Sequence, residues 1–267
     1  MIKKALLVGI NYLEHGNAYV PKLYGCINDA VEMSNMLMDA YEYKKENITI
    51  LRDDIGDKSL HPTNANIMKY LTDITRDSKN CSEIRIHFSG HGTSMKDKNK
   101  DERDGKDECI VPSDFHNGII TDDILFSILN QTRCTTFITM DCCHSGTICD
   151  LTYSFRMTKY RGKTYYRRQV EKKRFMNNRN IYMLSGSRDN EYATDGYNYE
   201  KHIPMGTFTN VYMLALRHFN HQVQIFKLHE IINNTLSHYG YPQQSVLSSS
   251  NPYPYINFTK HGIKRIR

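Results

Sequence analysis

Two short apolar runs, Glu83 to Phe88 and Thr135 to Met140, each break into a glycine-containing turn that carries reactive side chains. The first ends in His87-Phe88-Ser89-Gly90-His91-Gly92, the second in Asp141-Cys142-Cys143-His144-Ser145-Gly146. β-Branched and aromatic runs of this length, bounded by turn residues, predict buried parallel strands. In an open α/β sheet, ligands bind at the carboxyl edge of the strands, so a helical crossover between the runs brings His91 and Cys143 to one edge despite their distance in sequence. Side chains alternate along a strand: Ser89 and His91 share one face, Asp141 and Cys143 share one face, and Cys142 points the other way.

The rest of the chain supports that frame. Further strands are predicted over Lys4 to Ile10, Ile48 to Leu51, Ile181 to Leu184 and Pro254 to Phe258. Helical apolar spacing covers Asp29 to Ala40, Asn64 to Thr75, Asp122 to Asn130, Thr207 to Phe219 and Phe226 to Ser237. This alternation predicts an α/β fold with a mostly parallel central sheet of about six or more strands, flanked by helices on both faces. A chain of 267 residues, 39% hydrophobic and 24% charged, suits one domain spanning 1–267. The Met33, Met36 and Leu37 stripe reads as core packing.

A thiol is only partly ionised at neutral pH. A nearby imidazole favours the thiolate and later protonates a leaving amine, so Cys143 with His91 is the pattern of a cysteine peptidase. Gly92 and the turn from Cys143 to Gly146 let the backbone N–H groups of Gly92 and Cys143 approach a developing oxyanion. A zinc site from Cys142, Cys143, His144 and His91 fails on spacing, because adjacent strand cysteines point apart and no Cys-x-x-Cys pair exists.

With these motifs the chain resembles the metacaspases, the caspase-like cysteine peptidases. The resemblance also rests on Leu23-Tyr24-Gly25-Cys26-Ile27-Asn28-Asp29-Ala30, Asp107-Glu108-Cys109-Ile110-Val111-Pro112-Ser113-Asp114, Thr121-Asp122-Asp123, Ser185-Gly186-Ser187-Arg188-Asp189 and Gln244-Ser245-Val246-Leu247-Ser248-Ser249-Ser250. Phe88, Cys142 and Ser187 depart from the usual residues without removing a catalytic group. The resemblance implies a caspase-like fold with a large-subunit-like segment (1–150), a linker (151–180) and a small-subunit-like segment (181–267). It also implies a monomer and a minimal catalytic core without a prodomain.

The resemblance assigns Asp29, Ser89 and Asp141 to the pocket for the residue preceding the cut. Two carboxylates and a hydroxyl suit arginine, which pairs bidentately, or lysine as a point charge, and would leave an acidic residue beside like charges. The bland role for Asp29 is an N-cap of the helix that follows. The resemblance further implies an activating calcium ion held by Asp107, Asp122, Asp123 and Asp150, with Asp97, Asp101, Asp104 and Glu108 competing with Asp107. Calcium wants several oxygen ligands in flexible geometry. Asp97-x-Asn99-x-Asp101 is rejected as an EF-hand loop, because its sixth position is Glu102 and no flanking helix is evident.

The chain carries +6 overall, yet residues 151 to 180 alone hold ten Lys or Arg against Glu171, or +9. For an enzyme preferring basic residues, a mobile loop of this kind is a tethered substrate. Self-cleavage is expected at Arg167, Arg168, Lys172, Lys173 or Arg174. The rival is a nucleic-acid patch interleaved with Tyr160, Tyr165, Tyr166 and Phe175, which one short run with no recognised binding fold supports poorly. The alternative to catalysis is a noncatalytic calcium-dependent interaction module, for which an intact His91 and Cys143 have no use. The start of the chain reads as a buried strand rather than a signal peptide, and no run approaches the ~20 apolar residues of a membrane helix. Seven cysteines without a paired framework point to reduced thiols in the cytosol or nucleus.

Overall fold

The computed structural model describes residues 2–96, 105–143, 145–171, 175–188 and 195–266. Along the chain run β1 (Ile2–Gly9), α1 (Cys26–Tyr41), β2 (Ile48–Arg52), α2 (Asn64–Asp77), β3 (Cys81–Ser89), β4 (Gly92–Lys96), β5 (Lys106–Ile110), β6 (Ile120–Thr121), α3 (Asp122–Leu129) and β7 (Thr135–Asp141). They are followed by β8 (Tyr153–Tyr160), β9 (Lys163–Val170), β10 (Ile181–Ser185), β11 (Asp195–Asn198), β12 (Ile203–Gly206), α4 (Thr207–His218), β13 (Val223–Gln224), α5 (Ile225–His238), β14 (Val246–Ser249), β15 (Ile256–Thr259) and β16 (Gly262–Arg265).

Among the described residues, eight strands form the central sheet in the order β2-β1-β3-β7-β10-β14-β8-β9. The first five are parallel and the last three join antiparallel. Parallel strands buried on both faces need apolar runs, which is what β1, β7 and β10 carry, while β3 also buries Glu83 and Arg85 as an ion pair at 2.6 Å. One face of the sheet packs Ile67, Leu71 and Ile74 of α2 with Leu125, Phe126 and Leu129 of α3. The other packs Met33, Met36 and Leu37 of α1 with Phe208 and Tyr212 of α4 and Leu228 and Ile232 of α5. The methionine stripe is therefore core.

Two expectations are corrected. Pro254 to Phe258 does not join the central sheet: β15 pairs β13 and β16 in a side sheet, and β14, from the Gln244 to Ser250 stretch, joins the central sheet between β10 and β8. The basic linker is not a mobile loop across 153–170. It is the β8–β9 hairpin, closed by Arg161 and Gly162, both at positive φ (47° and 74°), as a two-residue hairpin turn with matching twist requires. Phe155 and Tyr166 lay one face on Phe226 of α5, and the Tyr166 hydroxyl donates to the Phe226 carbonyl at 2.9 Å. The sequence signal was masked because the outward positions are Arg, Lys and Tyr instead of small polar residues.

Candidate active site

β3 and β7 are neighbours, and their register sets Ser89 directly opposite Asp141. His91 and Cys143 each follow two residues later, so both emerge level at the carboxyl edge. They line one cleft of about 580 Å³ with Ser89, Asp141 and Gly206. Gly92 makes this approach possible: a β-carbon there would stand 2.0 Å from the Cys143 carbonyl oxygen, so any side chain would force the two motifs apart. The Cys142 thiol is buried and its pKa is pushed far up by desolvation, which makes it inert. Cys143 is half-buried in the cleft.

Two groups that sequence reasoning missed hold the imidazole. His91 Nε2 lies 2.7 Å from the Pro21 carbonyl oxygen; a carbonyl only accepts, so Nε2 carries the hydrogen and Nδ1 is the basic nitrogen. Tyr12 is fully buried, with its ring 4.7 Å from the imidazole. Its hydroxyl accepts from the His91 backbone N–H at 2.7 Å and donates to the Val111 carbonyl at 2.7 Å. Burial drives the Tyr12 pKa far up, which keeps it a neutral donor. A backbone carbonyl leaves no side-chain signature. Only position could have flagged Tyr12, which follows β1 as His91 follows the neighbouring β3.

The three residues expected to form the substrate pocket come together. Asp29, Ser89 and Asp141 are all buried. Ser89 Oγ donates to Asp29 Oδ2 at 2.6 Å, and Asp141 Oδ2 accepts from the backbone N–H and hydroxyl of Thr209 at 2.9 and 2.7 Å. Both carboxylates converge on Gly206, where a β-carbon would meet Asp141 Oδ2 at 2.2 Å and Asp29 Oδ2 at 2.6 Å. Asp29 is not the N-cap of α1. That position is Gly25 without a side-chain bond, and Asp29 accepts from the Gly206 N–H instead.

Asp107, Asp122 and Asp123 also meet, each offering a carboxylate oxygen within 4.8 Å of the others. Thr121 caps α3, so Asp122 and Asp123 occupy its first turn, where the helix dipole favours negative charge. Even so, burial and the neighbouring Asp107 and Asp123 carboxylates push the Asp122 pKa up to about 6, against the lowering effect of N–H bonds from Glu108 and Asp123. Close carboxylates on an all-oxygen donor set fit a hard divalent cation. Asp150, buried at φ 50°, falls outside this group of three. Glu108 Oε2 accepts from Thr147 Oγ1 at 2.9 Å, which ties the loop after Cys143 to β5, the strand of Asp107.

Arg167 and Arg168 stand in the paired strand β9. Lys172, Lys173 and Arg174, and the competing acids Asp97, Asp101 and Asp104, lie outside the described residues. A second cavity of about 580 Å³ opens beside the hairpin, lined by Glu108, Thr147, Arg156 and Glu171 among others, and holds neither His91 nor Cys143. None of the seven cysteines is in a disulfide. Among the described residues, no helix is long and apolar enough to cross a membrane.

With this geometry in place, comparison with known proteins decides the family. The model described as "Metacaspase, peptidase C14 domain" matches residues 3–152. The chain belongs to the metacaspase family. This metacaspase is 40% identical over 159 residues to Metacaspase-1 of Kluyveromyces lactis, a match covering 57% of the chain and 35% of that protein. It is 41% identical over 159 residues to Metacaspase III c of Phaeodactylum tricornutum, covering 58% and 46%. The match thus spans between about a third and just under half of these relatives' length. Among solved structures, a Geobacter sulfurreducens protein superposes with a TM-score of 0.64 at 20% identity, covering 99% of this chain and 98% of the other. Caspase-1 of Spodoptera frugiperda does so at 0.56 and 11% identity, covering 93% and 88%. These two show the caspase-like fold of the metacaspase.

Proposed function

We propose that this chain is a calcium-stimulated cysteine endopeptidase that cleaves after arginine or lysine, with Cys143 as nucleophile and His91 as general base and acid. The observation that carries the reading is the shared cleft, in which His91 and Cys143 stand at one sheet edge beside Ser89 and Asp141. Nδ1 of His91 takes the thiol proton, Cys143 attacks the scissile carbonyl, and the oxyanion is met by the N–H groups of Gly92 and Cys143. The imidazolium returns its proton to the leaving amine. Water, deprotonated by His91, then releases the acyl group. Asp29 and Asp141 supply the counter-charge for a basic side chain, and an acidic one would face two buried carboxylates.

Asp107, Asp122 and Asp123 would hold the calcium ion, which supplies the positive charge that their crowding calls for. β5 links that cluster to both motifs, through the Gly92–Ile110 pairing and the Thr147–Glu108 bond. Self-processing is assigned to Lys172, Lys173 or Arg174, whose side chains match the proposed preference. Arg167 and Arg168 are disfavoured because a paired strand cannot enter a cleft without unzipping.

The test is turnover of fluorogenic peptides ending in Arg, Lys or Asp, with calcium and with a chelator, against Cys143→Ala. Turnover of the Arg and Lys peptides that needs calcium and Cys143 is the expected result. Folded protein with a titratable Cys143 thiol and no turnover in either condition would favour a noncatalytic module.

A further inference from the structure

The cleft has two unlike walls, and we propose that the wall beside His91 is an apolar subsite for the residue that follows the scissile bond. Resting on the peptidase reading above, this makes the preferred substrate one with a basic residue before the cut and a medium-sized aliphatic residue after it.

One wall is acidic: Asp141 and Ser89 line it, with Asp29 hydrogen-bonded behind Ser89. The other is built from Val20, Val111, Phe115 and Ile119. Its position relative to the imidazole is fixed by hydrogen bonds. The Val111 N–H donates to the His91 carbonyl at 3.1 Å, and Pro21, next to Val20, holds His91 Nε2 through its carbonyl. Phe115 and Ile119 follow Val111 closely and pack partly buried against the core beneath. Apart from His91, Asp141 is the charged side chain among the described residues lining the cleft. The apolar wall therefore offers no partner to an ionic group.

Chemistry settles which side of the substrate meets this wall. When the acyl bond to Cys143 forms and the peptide bond breaks, the electron pair of the C–N bond stays on nitrogen and is protonated by His91. The leaving nitrogen must therefore lie at the imidazole, and the α-carbon of its residue is one bond further. That side chain is delivered to the His91 wall, while the side chain preceding the carbonyl goes to the acidic wall. An aliphatic group that leaves water against Val20, Val111, Phe115 and Ile119 gains about tenfold over glycine. A charged one loses hydration without compensation.

The experiment uses the whole chain with calcium and internally quenched peptides identical except for Gly, Ala, Leu, Asp or Lys after a single Arg. An arginyl coumarylamide, which has no residue after the scissile bond, runs in parallel. We expect kcat/KM for Leu to exceed that for Gly about tenfold, with Asp and Lys below Gly. Ile119→Asp should bring the Leu-to-Lys ratio within the same variant down to about one or below. Val20→Asp, on a different loop, makes the same test should Ile119→Asp fail to fold. Coumarylamide turnover with a flat profile overturns the subsite alone, as does a leucine preference that survives either substitution in folded protein. No turnover of any substrate overturns the peptidase reading and the subsite with it.

Discussion

The backbone N–H of Gly206 donates to both carboxylate oxygens of Asp29, at 2.9 and 3.1 Å, and the same residue leaves no room for a side chain between Asp29 and Asp141. The start of α4 thereby holds these two carboxylates in one place, although they come from α1 and β7.

Gly206→Ala should test that wedge. Its β-carbon must displace one carboxylate or both, an overpacking cost of about 1–3 kcal/mol. Urea unfolding should register the loss, and kcat/KM on an Arg peptide should fall more than tenfold. Unchanged selectivity between Arg and Asp peptides would remove Asp29 and Asp141 from the pocket.

Tyr12→Phe removes one hydroxyl and strands two backbone groups, the His91 N–H and the Val111 carbonyl. Leaving a buried polar group unsatisfied costs about 1–3 kcal/mol. Stability should drop by that order, and kcat should fall more than KM rises, because the imidazole loses its anchor while the pocket is untouched.

The raised pKa of Asp122 gives the proposed calcium binding a pH dependence of defined sign. With a folded pKa of about 6 against an ordinary 3.8, the folded protein takes up this proton before the unfolded chain does. Without metal, this group therefore stabilises the fold as pH falls from about 6 toward 4, and the benefit is lost as pH rises through 6. Calcium competes with the same proton, so affinity should weaken about fourfold between pH 7.5 and 5.5 from this group alone. Calorimetric titration at the two pH values measures it. Asp122→Asn should raise the melting temperature in chelator and abolish the calcium response.

Arg156 and Arg167 stand directly opposite each other on β8 and β9, and both are exposed. Like charges across a strand pair repel, and opposite charges contribute roughly 0.2–1 kcal/mol. Arg156→Glu should therefore stabilise the protein by about that amount at low salt, with the gain shrinking in 1 M salt.

The parallel half of the sheet was legible because its inner strands are buried on both faces and carry β-branched and aromatic runs, so β1, β3, β7 and β10 announce themselves. His91 and Cys143 were legible for a related reason, since reactive side chains at strand ends break an apolar run abruptly. The antiparallel half was not. β8 and β9 owe their pairing to β14 and to α5, and their outward positions are charged, so the local pattern resembles a solvated linker. The supports of the imidazole were invisible because one is a main-chain carbonyl and the other a tyrosine whose hydroxyl bonds across 79 positions to His91. Asp150 was named for the acidic group through the family resemblance; it is buried at φ 50° and lies outside the tight group of Asp107, Asp122 and Asp123.

The strand order has a consequence for processing. β10 and β14 follow the stretch from Lys172 to Arg174, yet they are flanked on one side by β7 and on the other by β8, both of which precede it. A cut in that stretch yields two polypeptides woven through one another, each clasping the other along two seams of the sheet. Such a nick should leave the elution volume in native gel filtration unaltered, and the pieces should part only in denaturant.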